Sequence, residues 1–252
     1  TPFSRGGDGR AALGPVLREY LVSEAMNALG IPTTRALMAA TTGERVYREA
    51  VLPGAVLTRV AASHIRVGTF QFFAARKDVE SLGLLIEHVI ERHYPDLKGA
   101  ANPALALLDA VMERQASLVS RWVQVGFIHG VMNTDNMSIL GLTLDYGPYG
   151  FLDAYDPQFI CNHTDTQGRY SFINQPVIAH WNLRALALAL SDLIPTETLI
   201  EKLATFEAHF GGTYHALMRA KLGLTREVEG DNKLIGGLLA LMNKTRADYT
   251  LS

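Results

Sequence analysis

The sequence predicts an α+β fold, with a small unit of one helix and antiparallel strands over residues 1–68 and a mostly helical region over 69–252. Three observations predict it. Between Asp8 and Gly30, the residues Leu13, Val16, Leu17, Tyr20, Leu21, Ala25, Ala28 and Leu29 recur at helical spacing. "RALMAATTGERVYREAV" and "AVLTRVAAS" then read as short strands. Beyond residue 68 the apolar residues return to a helical period, broken by one irregular stretch at 127–165.

The elements follow in order. Pro15 suits a first helical turn, and Gly30 followed by Pro32 suits a stop. The first two strands are expected to join at the Thr-Gly-Glu turn inside "RALMAATTGERVYREAV". "ESLGLLIEHVIERHY" is amphipathic. So is "NPALALLDAVMERQASLVSRWVQVG", with Leu108, Val111, Met112, Leu118, Val119 and Trp122 on one face, Asn102-Pro103 as start and Gly126 as stop. The middle segment is rich in Gly, Asp and Asn and carries β-like pieces in "SILGLTLDYG" and "YGFLDA". Helical patterns resume at "PVIAHWNLRALALALSDLI", "TETLIEKLATFEAHFGGTYHALMRAKLG" and "KLIGGLLALMNKT". Function should therefore reside in the middle loops, held by the helices around them.

Bulk properties narrow the function classes. At 252 residues the chain can bury a sizeable core. A net charge of −2 gives no reason to expect nucleic acid or an acidic membrane surface as partner. The single cysteine, Cys161, forms no internal disulfide and fits a reducing compartment. No apolar run reaches bilayer length and no secretory signal opens the chain, so a cytoplasmic protein is expected.

The chemistry-bearing pattern is "HGVMNTDNMSILGLTLDYG". Protein-kinase-type enzymes carry H-R-D-L-x-x-x-N, in which the Asp accepts a proton and the Asn binds metal, and a later D-F-G whose Asp binds metal. Oxygen ligands are needed because Mg2+ is a hard cation. His129 and Asn136 keep the mutual spacing, and Asp145-Tyr146-Gly147 resembles D-F-G. The usual base position holds Val131, and Asp135 is the one carboxylate inside the motif. Each piece by itself is also an ordinary turn; in order, they point to phosphate chemistry. Upstream, "SRGGDGR" offers backbone N–H groups at Gly6, Gly7 and Gly9. Arg59 and Arg66 are fixed cations able to neutralise a triphosphate, or surface residues. Glu19, off the apolar stripe, is either a solvated residue or the glutamate of a kinase-type lysine pair. There is no Walker A loop, no H-E-x-x-H, no G-x-S-x-G and no G-x-G-x-x-G after a strand, so other nucleotide, zinc and serine-hydrolase chemistries find no motif.

Five ordered stretches carry a resemblance: "TPFSRGGDGRA", "REYLVSEAMNALGIPTTRAL", "TRVAASHIRVGTFQFF", "HGVMNTDNMSILGLTLDYGPYGFLDAYDP" and "FICNHTDTQGRYSFINQP". They resemble the selenoprotein O family. The resemblance implies a protein-kinase-like bilobal fold, with an incomplete N-lobe of small antiparallel sheet over 1–68 and a helical C-lobe over 69–252. It implies transfer of AMP from ATP to Ser, Thr or Tyr hydroxyls of proteins, with the nucleotide reversed relative to a kinase. A different phosphorus is then attacked, and the base need not sit at Val131. By the same resemblance, Asp135 is the proton acceptor, Asn136 and Asp145 are Mg2+ ligands, and Asp8, Gly9, Arg59, Arg66 and Asp145 contact ATP. Glu19 is the αC-like glutamate.

The family's phosphate-binding lysine precedes "TPFSR", so weak activity is expected of this chain by itself, as is a Glu19 without its lysine. Cys161 is expected to be an inert thiol. For eukaryotic members the implied compartment is mitochondrial. UMP transfer with Mn2+ is the close alternative. A non-catalytic nucleotide-binding module is the more distant one, supported by the missing lysine and opposed by Asp135, Asn136 and Asp145. An ordinary kinase is opposed by Val131.

Overall fold

The computed structural model describes residues 4 and 6–252, so part of the "TPFSR" segment lies outside the described residues. Helices and small antiparallel sheets together make the α+β class. The chain forms two compact units, one comprising Thr1–His64 with Thr143–Gly147 and the other Ile65–Leu142 with Pro148–Ser252.

The first unit packs one helix, α1 (Leu13–Ala28), on a three-stranded antiparallel sheet. α1 stops because Gly30 takes φ +71°, letting Ile31 N–H return to the Met26 carbonyl at 3.0 Å. Its buried side chains are Val16, Val22, Ser23 and Met26; Leu17 and Leu21 from the apolar pattern face solvent instead. The sheet runs β1 (Ala11–Ala12), β3 (Val51–Val60), β2 (Arg35–Tyr47). The Thr-Gly-Glu expectation is corrected here. Residues 42–44 do not reverse the chain but bulge within β2, between the pairs Thr41–Ala55 and Arg45–Pro53. Gly43 at φ +74° accommodates the extra residues, and Gly54 lies opposite, where a Cβ would meet Thr42 Oγ1 at 2.7 Å. The reversal falls at 48–50, closed by Arg48 N–H to the Ala50 carbonyl at 3.1 Å.

The second unit is helical: α2 (Val67–Ala74), α3 (Val79–His93), α4 (Pro103–Val125), α5 (Gln175–Ala189), α6 (Thr196–Leu203), α7 (Phe206–Lys221) and α8 (Asp231–Thr245). α4 is its core element. Leu108, Val111, Met112, Leu118, Val119 and Trp122 are all buried, as the spacing predicts. Asn102 caps it, its side chain accepting from Leu105 N–H at 3.0 Å. Gly126 ends it at φ +74°, and any Cβ there would meet the Tyr249 ring at 2.7 Å. Truncating Leu108 to Ala should cost about 2–5 kcal/mol.

Two further expectations change. The single pattern over 196–223 forms two helices, the ladder breaking at Ala204 and Thr205, where Thr205 N–H and its hydroxyl both donate to the Lys202 carbonyl at 3.1 and 2.8 Å. "SILGLTLDYG" forms isolated bridges rather than a strand, since Gly141 turns at φ +65° against Arg114. A two-stranded ribbon pairs β4 (Phe127–Ile128) with β5 (Gly150–Phe151), the latter within "YGFLDA". Among the described residues no helix is long and apolar enough to cross a membrane.

Candidate functional site

The sequence-predicted residues divide between the two units. In the first unit, Glu19, Arg59 and Asp145 come together. Arg59 Nε donates to Glu19 Oε1 at 2.7 Å, and its Nη2 meets both Glu19 Oε1 and, at 3.2 Å, Asp145 Oδ1. Glu19 thus has an arginine partner. Burial pushes the Glu19 carboxyl above its ordinary range, and the Arg59 charge works against that push. The backbone of Asp145 lies at φ +63°, a left-handed conformation that costs a non-glycine residue energy and is concentrated at functional loops. Its segment is fixed by Thr143, whose N–H reaches the Pro32 carbonyl at 2.9 Å and whose carbonyl accepts Thr34 N–H at 3.0 Å. Tyr146 is buried and hydrogen-bonds Thr33 through its hydroxyl, which burial makes harder to ionise. With this anchor, the half-exposed Asp145 carboxylate keeps one side toward solvent.

Asp8 and Gly9 occupy the loop before β1. Asp8 pairs with Arg48 at 2.8 Å and accepts Arg10 N–H at 3.0 Å, which holds its carboxyl at about 2. Gly9 takes φ +69°.

In the second unit, Asp135 and Asn136 share a 3-10 turn, Thr134–Asn136, capped by the Asn133 side chain accepting Asp135 N–H at 3.0 Å. Asn136 is buried, and its Nδ2 donates to the Val131 carbonyl at 2.9 Å. That bond sets the amide so that Oδ1 is its acceptor face, and no described donor reaches it. Val131 thus serves through its backbone, where a kinase-type motif would use a side chain.

Arg66 caps α2, its N–H donating to Thr69 Oγ1 at 3.2 Å. Its side-chain Nε is buried without a hydrogen-bond acceptor among the described residues. A buried guanidinium nitrogen with no acceptor is costly, and an anionic oxygen would satisfy it.

Three amides hold this loop. Gln175 accepts His129 N–H at 3.0 Å and donates to the Phe127 carbonyl at 2.9 Å. Asn182 donates to the Met132 carbonyl at 2.8 Å, and Gln115 donates to the Ser138 carbonyl. The sequence reading missed all three. Their signal was present: Gln115 and Asn182 interrupt the apolar stripes of α4 and α5, where a polar residue needs a buried partner. Buried His129 packs its ring on Trp122 at 5.4 Å between centroids. Cys161 lies against the loop, its Sγ 2.7 Å from where a Cβ on Gly130 would be.

A separate cluster was also missed. Asp109 and Glu113 on α4 and His209 on α7 bring one ligand atom each to within 4.8 Å of one another. Lys202 lies 3.0 Å from Asp109 and supplies positive charge there without an ion.

The chain is similar, over its whole length, to proteins that transfer nucleotides by name. It is 59% identical to "Protein nucleotidyltransferase YdiU" of Rhizobium rhizogenes over 258 residues, 51% of that protein. It is 62% identical to the protein of the same name in Methylorubrum populi and 59% to that in Agrobacterium fabrum, covering 52% and 53% of them. The family profile described as protein adenylyltransferase SelO matches residues 1–252, and the chain belongs to the SelO family. It spans about half the length of these curated relatives.

Proposed function

We propose that this chain is the catalytic part of a protein adenylyltransferase with a kinase-like bilobal fold, moving AMP from ATP to Ser, Thr or Tyr hydroxyls. The protein hydroxyl oxygen attacks the α-phosphorus, the bond to the β-phosphate oxygen breaks, and diphosphate leaves. The hydroxyl proton passes to the Asp135 carboxylate. Asn136 and Asp145 offer oxygens to Mg2+, which when bound neutralises phosphate charge. Arg66 and Arg59, with Asp8 and Gly9, contribute nucleotide contacts.

The observation that carries this reading is the orientation of Asn136. Its amide nitrogen is committed to the Val131 carbonyl, which leaves an oxygen, the atom a hard cation takes, as the open end. The unsatisfied Nε of Arg66 in the same unit supports an anionic ligand. The relatives' name leaves the nucleotide open, which keeps UMP transfer with Mn2+ as the second reading.

ATP and UTP labelled on the α-phosphate test both. Label from ATP should appear on protein and fall about 10²–10⁴-fold in Asp135→Ala. It should vanish in Asp145→Ala. Label from UTP alone would favour the second reading. Transfer of γ-label alone would mark a kinase, and binding without transfer a non-catalytic module; either overturns the proposal.

A further inference from the structure

We infer that Gly68 is a positioning residue for Asp135, the space left by its missing side chain being where the Asp135 carboxylate sits. The inference rests on the reading of Asp135 as proton acceptor. Gly68 is the second residue of α2. Its φ lies outside the left-handed region, so the backbone itself asks nothing of glycine. Within helices glycine is the poorest residue after proline, so helix propensity does not favour it there either.

The reason is steric. A Cβ built on Gly68 falls onto Asp135 Oδ1, 3.3 Å from Asp135 Cγ and 3.5 Å from the Thr134 carbonyl oxygen. By contrast, Gly83, Gly211, Gly212, Gly236 and Gly237, also in helices, have nothing within 4 Å of such a carbon.

Neither backbone can yield freely. The turn is held by Asn136 N–H to the Asn133 carbonyl at 3.0 Å and by Asn136 Nδ2 to Val131. The first turn of α2 is tied to the same loop by Val67 N–H to the Met137 carbonyl at 3.0 Å. A methyl group at residue 68 must therefore move the carboxylate itself, which shifts the accepting oxygen and leaves the neighbouring Asn136 in place.

The test is a pair of double-mutant cycles on Gly68→Ala and Asp135→Ala in the full-length protein. In the kinetic cycle, Gly68→Ala should lower kcat for transfer of α-labelled AMP at least tenfold while KM for ATP changes less than twofold. In the Asp135→Ala background the same change should cost less than twofold. In the thermal cycle, Gly68→Ala should lower Tm when Asp135 is present and leave it unchanged or raised when residue 135 is Ala, because only helix propensity then remains.

Equal losses of Tm in both backgrounds, or a full-rate Gly68→Ala beside an impaired Asp135→Ala, overturn the positioning inference and leave the proposed function standing. A full-rate Asp135→Ala removes the proton-acceptor reading, and the catalytic meaning of Gly68 with it. If Gly68→Ala folds too poorly for kinetics, its restoration by Asp135→Ala in the melt still decides the steric claim.

Discussion

The two short segments that carry the candidate chemistry share neutral anchors but differ in charge. The 127–138 loop is fixed by neutral amides buried in the helical unit: Gln175, Asn182 and Gln115 each bond its backbone. The 143–147 segment is anchored by Thr143 and Tyr146, but it sets the Asp145 carboxylate in an ionic group with Arg59 and Glu19, both less than a quarter exposed, and on a left-handed backbone. Neutral hydrogen bonds in a buried place do not respond to salt or to moderate pH, whereas charge pairs respond to both. One segment thus relies on neutral bonds and the other adds a charged group to them, and the substitutions below should expose that contrast.

The largest effect should come from Gln175→Ala. It removes the side-chain hydrogen bonds that Gln175 makes to two buried backbone groups, His129 N–H and the Phe127 carbonyl. Losing each bond costs about 1–3 kcal/mol, so a loss of about 2–6 kcal/mol is expected in denaturant unfolding. The loss should be the same at low and high salt. A loss that shrinks with salt would mean the frame is not neutral after all.

Arg59→Ala comes next. It removes the countercharge and hydrogen-bond partner of a mostly buried Glu19, for an expected loss of about 1–3 kcal/mol near neutral pH. The pH sign follows from the raised Glu19 carboxyl. Its stabilising contribution is complete below the ordinary value of 4.5 and is lost as pH rises through the raised one. Without Arg59 that rise grows, so the variant should lose most at neutral pH and least in acid. Unfolding measured across that range checks it, and a pH-independent loss would break the contrast with Gln175.

These pairs show what was legible in the sequence and what was not. The caps of α4, Asn102 and Gly126, were plain because each acts within one turn of its own position. The Asp135-Asn136 turn and Asp145 were legible as types and order, since turn residues announce loops. The Thr-Gly-Glu segment misled, because a glycine bulge and a hairpin turn use the same residues and differ in what pairs opposite them. Arg59 as the partner of Glu19, and Gly68 as the space for Asp135, join residues 40 and 67 positions apart. No local pattern encodes such pairs.

Asp145 allows a sharper comparison within one site. Its φ of +63° costs any residue with a Cβ about 1 kcal/mol relative to glycine. Asp145→Gly should therefore be more stable than Asp145→Ala by about that amount, and both should lose metal-dependent transfer. Equal melting of the two variants would mean the segment relaxes, and that the strain is not held by Thr143 and Tyr146.

The smallest effect belongs to Asp8, whose pair with Arg48 is exposed. Hydrogen bonds from Arg48 and from Arg10 N–H hold its carboxyl at about 2, below the ordinary 3.8. A lowered carboxyl contributes stability that is complete above the ordinary value and disappears as pH falls toward the lowered one. Asp8→Asn and the parent chain should then differ slightly in Tm above pH 4 and converge as pH approaches 2. High salt should erase even the upper difference, since both partners stand in water. A difference that persists at the acid end would show that Asp8 supports the loop before β1 by more than its charge, since the amide oxygen of asparagine can still accept the bond from Arg10 N–H.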